Sequence, residues 1–173
     1  MNLILLPGNT DQVWIKEVEK NIFSFFDNLY LIEYAHHAKG KYLIDLNYEL
    51  NALSKLIQTE KIDDYVIFAK SAGTLLTIKG IHEGVLNPQK CIFLGVPINW
   101  AYHYKFNIDA WIQNYSIPTL FIQQTNDLYY SFKELKSYLN GFSVKNSQIF
   151  EVAGSDHHYS NIEEMKKLVK NYL

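Results

Sequence analysis

Six short apolar runs recur along this chain, at 3–6, 29–35, 65–69, 91–96, 119–123 and 148–152, and several are nearly continuous rather than alternating. A strand with one wet face alternates apolar and polar residues. A run without alternation is a strand covered on both faces, as in the middle of a parallel sheet. The segments between the runs carry the helical period instead. Leu43, Leu46, Leu50, Leu53 and Leu56/Ile57 step by three and four, as do Ile162, Met165, Leu168 or Val169, and Tyr172. Ser160 and Glu163 predict a capping box for that last helix, and Asn9 or Thr10 predicts the cap of a first helix carrying Ile15, Val18, Ile22 and Phe25 or Phe26. Strand and helix in alternation predict βαβ units, right-handed crossovers and an α/β class three-layer α/β/α sandwich.

The 173 residues fit one domain, 1–173, with no repeat, linker or low-complexity stretch. One segment fits neither period. Residues 98–116 hold Trp100, Tyr102, Tyr104, Phe106, Trp111 and Tyr115. They predict either a small cap or excursion over one end of the sheet, or an ordinary crossover helix near 108–114. Charge narrows the function classes: 16 basic residues, all of them Lys, face 18 acidic ones, for a net charge of −2. That balance argues against nucleic acid and anionic membrane as partners, and the lack of Arg removes bidentate recognition of phosphate. Cys91 is the single cysteine, so no intrachain disulfide forms. With no basic leader and no apolar stretch of membrane-spanning length, the expected location is the cytoplasm.

In an open parallel sheet, ligands bind beyond the carboxyl ends of the strands. The third run ends in Ala69-Lys70-Ser71-Ala72-Gly73, followed by an apolar helix. Small residues around a serine in a strand-turn-helix context allow a tight, strained turn that lifts the hydroxyl above the sheet edge. The ordinary alternative is a serine that only caps the helix. A serine nucleophile needs a base, and the base needs an orienting carboxylate. Asp127 stands 56 residues on, past the fifth run, and His157 a further 30 on, past the sixth. Alone, Asp127 reads as the cap of a helix at 129–138 and His157 as a surface-loop histidine. The order Ser, Asp, His at three strand ends favours the chemical reading. If the strands lie in the order 2-1-3-4-5-6, Ser71 and Asp127 are about 10 Å apart, and the loop after the sixth strand can bridge them.

With these pieces in hand the chain resembles the α/β-hydrolase superfamily in its small, minimal-lid, single-domain serine hydrolase form. The resemblance rests on Leu6-Pro7-Gly8-Asn9 as oxyanion loop and 69–73 as nucleophile elbow. It extends to 119–127 as the acid strand and 152–157 as the histidine loop, and so covers nearly the whole chain. It implies a minimal sheet of about six mostly parallel strands in the order 2-1-3-4-5-6. It implies Ser71 as nucleophile, His157 as base and then acid, Asp127 as its partner, and an oxyanion hole from the backbone N–H groups of Ala72 and Asn9, with Thr10 as a neighbouring candidate. The departures are Ala69 where Gly is usual, Pro7-Gly8 where many relatives carry His-Gly, and a first strand that is already the oxyanion strand.

His158 follows His157, and the spacing after Gly154 favours His157. Asp156 is badly placed to orient its own neighbour. His36-His37 reads as a polar strand end, since a metal site shared with His157-His158 would have to span the sheet, about 24 Å. Lys70 reads as solvated. The expected activity is hydrolysis of carboxylic esters, thioesters among them, through an acyl-enzyme and with no metal or organic cofactor. The expected partner is a small-molecule ester or acyl substrate; Thr10, Trp100, Tyr102 and Trp111 are the candidate pocket residues, and their aromatics favour an uncharged, moderately apolar group. Acyl transfer or peptide hydrolysis on the same residues stays open, as does the oligomeric state. The alternative class is a protein-interaction or binding module on the same fold with a vestigial triad; reaction of Ser71 with an organophosphonate separates the two.

Overall fold

The computed structural model of the protein describes residues 1–10, 16, 18, 20 and 23–173. Six strands form one sheet: β1 (Asn2–Leu6), β2 (Asn28–Leu31), β3 (Tyr65–Lys70), β4 (Lys90–Leu94), β5 (Thr119–Gln124) and β6 (Ser147–Val152). Their order is β2-β1-β3-β4-β5-β6, and every neighbouring pair is parallel. The expected order and orientation are therefore those observed. β2 stops at Leu31, four residues short of the apolar run that predicted it.

Burial follows position in the sheet. All six residues of β3 and all six of β5 are buried, whereas β6, at the edge, buries only Val152. Because side chains alternate across a strand, the central strands divide their residues between two cores. Ile4, Leu6, Ile67, Ala69, Phe93 and Phe121 face one side. There they meet α2 (Leu46–Thr59), α3 (Ala72–His82) and α6 (Phe132–Gly141) through Leu50, Leu53, Leu75, Leu76, Leu135 and Leu139. Leu3, Leu5, Val66, Phe68, Ile92, Leu94, Leu120 and Ile122 face the other side, against Val18, Phe26 and the Met165 and Val169 of α7 (Ile162–Tyr172). Burial of each large apolar side chain contributes about 1.5–3 kcal/mol, so the central strands are fixed by packing on both faces.

Several local expectations shift. The last helix is capped one residue later than predicted: Asn161, not Ser160, accepts the Glu164 N–H, and its amide donates to the Glu164 carboxylate. Of the first predicted helix, Val18 is buried in the core, while Ile15 and Ile22 lie outside the described residues. Phe25 ends a short 3-10 helix, Phe23–Phe25. Residues 98–116 form two short helices, α4 (Ile98–His103) and α5 (Ile108–Ile112). Ile98, Ala101, Ile108 and Ile112 are buried in the core, and α5 packs on α3. One further short helix, α1 (Ala35–Ala38), follows β2. Among the described residues no helix is long and apolar enough to cross a membrane.

Candidate active site

Ser71 stands between β3 and α3 with φ 50° and ψ −120°, a strained conformation for a residue with a side chain. Three contacts enforce it. The Ser71 N–H donates to Leu94 O at 2.9 Å. The Ser71 carbonyl accepts the Thr74 N–H at 2.8 Å and the Thr74 hydroxyl at 2.7 Å. Gly73 lies so close to β1 that a Cβ there would come within 2.8 Å of the Leu6 and Pro7 carbonyl oxygens. The side chain makes no capping hydrogen bond to α3, so the ordinary reading of a capping serine does not hold. Its hydroxyl instead lies 2.9 Å from His157 Nε2.

His157 Nδ1 is 2.8 Å from Asp127 Oδ2 and 3.0 Å from Oδ1. An ionised carboxylate can only accept, so Nδ1 carries the hydrogen, and Nε2 is left to accept from the Ser71 hydroxyl. Asp127 is buried and collects further donors: the Tyr159 hydroxyl at 2.6 Å on Oδ2 and the Tyr129 N–H at 2.9 Å on Oδ1. Burial alone would raise its pKa. The His157 ring, the Tyr159 hydroxyl and the Tyr129 amide outweigh burial and hold the carboxyl below the usual range. The capping role that Asp127 could have filled belongs to Ser131, which forms a capping box with Glu134 and starts α6 at Phe132 rather than at 129.

His157 has φ 62°, and its N–H donates to Gln124 Oε1 at 2.9 Å. Tyr129 packs edge-on against its ring with centroids 4.7 Å apart. Beneath it, Gly95 at φ 64° leaves room that a Cβ would take, 2.8 Å from His157 Cε1. Asp156, as expected, does not touch the ring of its neighbour; it accepts from Gln124 Nε2 and the His158 N–H, both at 2.9 Å, which lower its pKa.

These groups open onto a cavity of about 350 Å³ whose walls include Asn9, Thr10, Tyr42, Lys70, Ser71, Trp100, Tyr129, His157 and His158. Ala72 opens α3, so its N–H has no acceptor inside the helix and lies at the positive end of the helix dipole. Asn9 lines the same cavity while its side chain ties down a neighbouring loop: Nδ2 donates to Tyr42 O at 2.8 Å, and Oδ1 accepts the Ile44 N–H at 2.9 Å. Among the proposed pocket residues, Thr10 and Trp100 are in the wall; Tyr102 and Trp111 are not. Tyr102 is exposed and spends its hydroxyl on Asp109 at 2.8 Å. Trp111 lies under Lys79, with Phe106 against it.

Two readings of polar residues need correction. Lys70 is not solvated but 2 % exposed. A central strand leaves no wet face, so its stem is packed and its ammonium reaches His158 O at 3.4 Å. His36-His37 is no polar strand end. β2 ends earlier, the pair sits on α1, and both Nε2 atoms reach Asn9 O, at 2.8 and 2.7 Å. The sequence also passed over Tyr159, Gln124 and Gly95. Only Gln124 left a signal, as part of a Gln-Gln pair ending a wholly buried strand. Among the described residues no three His, Cys, Asp or Glu side chains converge as metal ligands.

No protein-family profile matches the sequence, and no curated protein matches it either. Solved structures do. The chain is similar to the esterase Est1E from Butyrivibrio proteoclasticus with ferulic acid bound: TM-score 0.81, 15 % identity, covering 99 % of this chain and 87 % of that one. It is similar to the Pyrococcus furiosus esterase Pf2001 at TM-score 0.77 and 16 % identity, over 99 % of this chain and 81 % of that one. For the RedJ thioesterase of prodiginine biosynthesis from Streptomyces coelicolor the values are 0.72 and 10 %, over 100 % and 90 %. At such identities the likeness speaks for architecture, and it agrees with the strand order found independently in the sheet. From its first strand to its last helix, then, this chain has the α/β-hydrolase fold.

Proposed function

We propose that the protein is a serine hydrolase of carboxylic esters, thioesters included, working through an acyl-enzyme. The observation that carries the proposal is the unbroken hydrogen-bond chain from Ser71 Oγ through His157 to Asp127, 2.9 and 2.8 Å long, opening on a cavity. In this reading Ser71 Oγ attacks the ester carbonyl as its proton passes to His157 Nε2. Asp127 holds the ring in the Nδ1–H tautomer and stabilises the imidazolium. The oxyanion is received by the N–H groups of Ala72 and Asn9, with Thr10 the neighbouring donor. His157 returns the proton to the leaving alcohol or thiol, and water, activated by the same ring, cleaves the acyl-enzyme. The sequence covers nearly all of a fold shared by proteins named as esterases and a thioesterase, which supports both acyl–oxygen and acyl–sulfur substrates. Trp100 in the cavity wall favours a moderately apolar acyl or alcohol group.

The test is labelling with a fluorophosphonate probe, followed by a chain-length series of nitrophenyl esters. The wild type is expected to label and turn over, and Ser71→Ala and His157→Ala to lose both. A well-folded wild type that takes no probe and hydrolyses no ester overturns the proposal and favours a binding module on this fold. Retention of full activity by Ser71→Ala overturns the mechanism.

A further inference from the structure

The geometry points to His36 and His37 as positioning residues for the oxyanion loop: their two Nε2–H groups hold the Asn9 carbonyl away from the active-site cavity and so fix the Asn9–Thr10 peptide. The inference rests on the hydrolase reading, since a loop that receives no oxyanion has no need of this restraint.

The two ring nitrogens approach one oxygen, at 2.8 Å from His36 and 2.7 Å from His37. A carbonyl oxygen only accepts, and it has two lone pairs, so each ring must present Nε2–H and the two bonds saturate that oxygen. Neither histidine lines the cavity, whereas Asn9 and Thr10 both do. The carbonyl is thus turned out of the cavity. In a planar trans peptide the following N–H points the opposite way. A flip of this one peptide would turn the Asn9 carbonyl dipole toward the cavity, beside the Asn9 N–H that receives the oxyanion, and withdraw the neighbouring Thr10 N–H, opposing the negative charge that develops there. The doubled hydrogen bond opposes that flip.

The clamp itself is anchored. The two rings meet at a 50° tilt with centroids 4.1 Å apart; Tyr34 stacks on His36 at 5.8 Å and lies 5.9 Å from His37. The Tyr34 hydroxyl donates to Pro7 O at 3.0 Å, fastening the same loop two residues earlier. Glu49 of α2 accepts the Ala35 N–H at 2.8 Å and fixes the start of α1. His36 is 4 % exposed, and its Nδ1 is buried with no hydrogen-bond partner. An apolar side chain would fill that space without an orphaned acceptor. What the imidazole offers that an apolar side chain does not is the bond made by its other nitrogen, on the oxyanion loop.

The experiment compares wild type, the pair His36→Leu with His37→Leu, and the pair His36→Gln with His37→Gln on nitrophenyl acetate, with a thermal melt of each. Gln keeps an amide donor near the position of Nε2, and Leu keeps only volume. The Leu pair is expected to lose about 10–100-fold in kcat, by analogy with loss of an oxyanion donor or a misplacement of about 1 Å, with KM within about twofold. The Gln pair should recover most of that loss. If the Leu pair melts too early to assay, the half-buried single change His37→Leu carries the test, with a several-fold loss of kcat that His37→Gln restores. A folded Leu variant with wild-type kcat, or a Gln variant no faster than its Leu counterpart, overturns the inference while wild-type turnover leaves the hydrolase reading standing. A wild type without turnover overturns both.

Discussion

The two strands that deliver Ser71 and His157 to the same hydrogen bond are held by different physics. β3 lies between β1 and β4, buries all six of its residues, and passes directly into α3 through a turn locked against β1 and β4. β6 is the sheet edge; Ser147, Gln148, Phe150 and Glu151 are exposed, and only Val152 is buried. Beyond it the chain reaches His157 through a loop with non-glycine residues at positive φ, namely His157 itself at 62° and Tyr159 at 56°. The packed interior of β3, the close approach of Gly73 to β1 and short-range backbone hydrogen bonds fix the serine. Polar contacts fix the histidine: Gln124 on its N–H, Asp127 on its ring and Tyr159 on Asp127. Damage near β3 should therefore register as lost stability, and damage near the histidine loop as lost rate.

Among changes to the supports of the two strand ends, the largest expected effect is at Gly95→Ala. Gly95 has φ 64°, and an added Cβ would stand 2.8 Å from His157 Cε1, 3.0 Å from Nδ1 and 2.8 Å from Tyr159 Cε2. Either the ring moves or the end of β4 does, and both break the alignment with Ser71. The expected loss in kcat is on the order of 10²-fold or more, the usual result of a displacement near 1 Å at the chemistry. Steady-state hydrolysis of a nitrophenyl ester measures it. An active Gly95→Ala would mean the histidine loop tolerates displacement, and the contrast between the two strand ends would collapse.

Tyr159→Phe is a milder cut into the same polar network. It removes the 2.6 Å bond to Asp127 and leaves the Gln124 N–H, 3.0 Å from the tyrosine oxygen, without its acceptor. Loss of a charge-assisted bond costs about 1.5–3 kcal/mol, so roughly a tenfold fall in kcat and a lower melting temperature are expected. The sign with pH follows from Asp127, whose carboxyl is held below its ordinary value. Such a group contributes stability that is present above the unfolded pKa of about 3.9 and lost as pH falls through the lower folded value. The stability difference between Tyr159→Phe and wild type should therefore shrink in acid, once Asp127 is protonated. A difference that stays constant to low pH would show that Tyr159 acts by packing alone.

The same division explains what was legible in the sequence. The strands were readable because the central ones are buried on both faces, which writes continuous apolar runs at 65–69 and 119–123, whereas their order rested on the resemblance. Ser71 and Asp127 stood out as candidates because each follows such a run, and His157 because it follows the sixth, half-polar run at the sheet edge. The supports of His157 did not. Gln124, Tyr159 and Gly95 come from three separate strand ends, and each bond spans more than thirty residues of chain or a void that only a glycine leaves. His36 and His37 were misread for a related reason. The apolar run 29–35 predicts a strand up to them, but β2 ends at Leu31; the Ile32 N–H still bonds Leu5 O of β1, and the chain then turns into α1 at Ala35. Apolar periodicity reports burial; it carries no record of which polar atom meets which.

The smallest expected effect lies at the other end of the comparison. Ile67 sits in the middle of β3, fully buried, facing the helices of the Ile4 and Phe93 side, with its backbone in register between Ile4 and Cys91. Ile67→Val removes one methylene and leaves a small void. Such changes cost about 0.5–1.5 kcal/mol, visible as a modest drop in denaturant midpoint. Ser71 should not feel it. The two positions are four apart in the chain, the turn at Ser71 is held by the Leu94 carbonyl and by the close approach of Gly73 to β1, and neither contact involves Ile67. Unchanged kcat with reduced stability would separate Ile67→Val from Tyr159→Phe, which loses rate together with stability. A comparable loss of rate at Ile67→Val would mean that the elbow inherits its strain from the strand interior, and that packing and polar tethering at this site are one system rather than two.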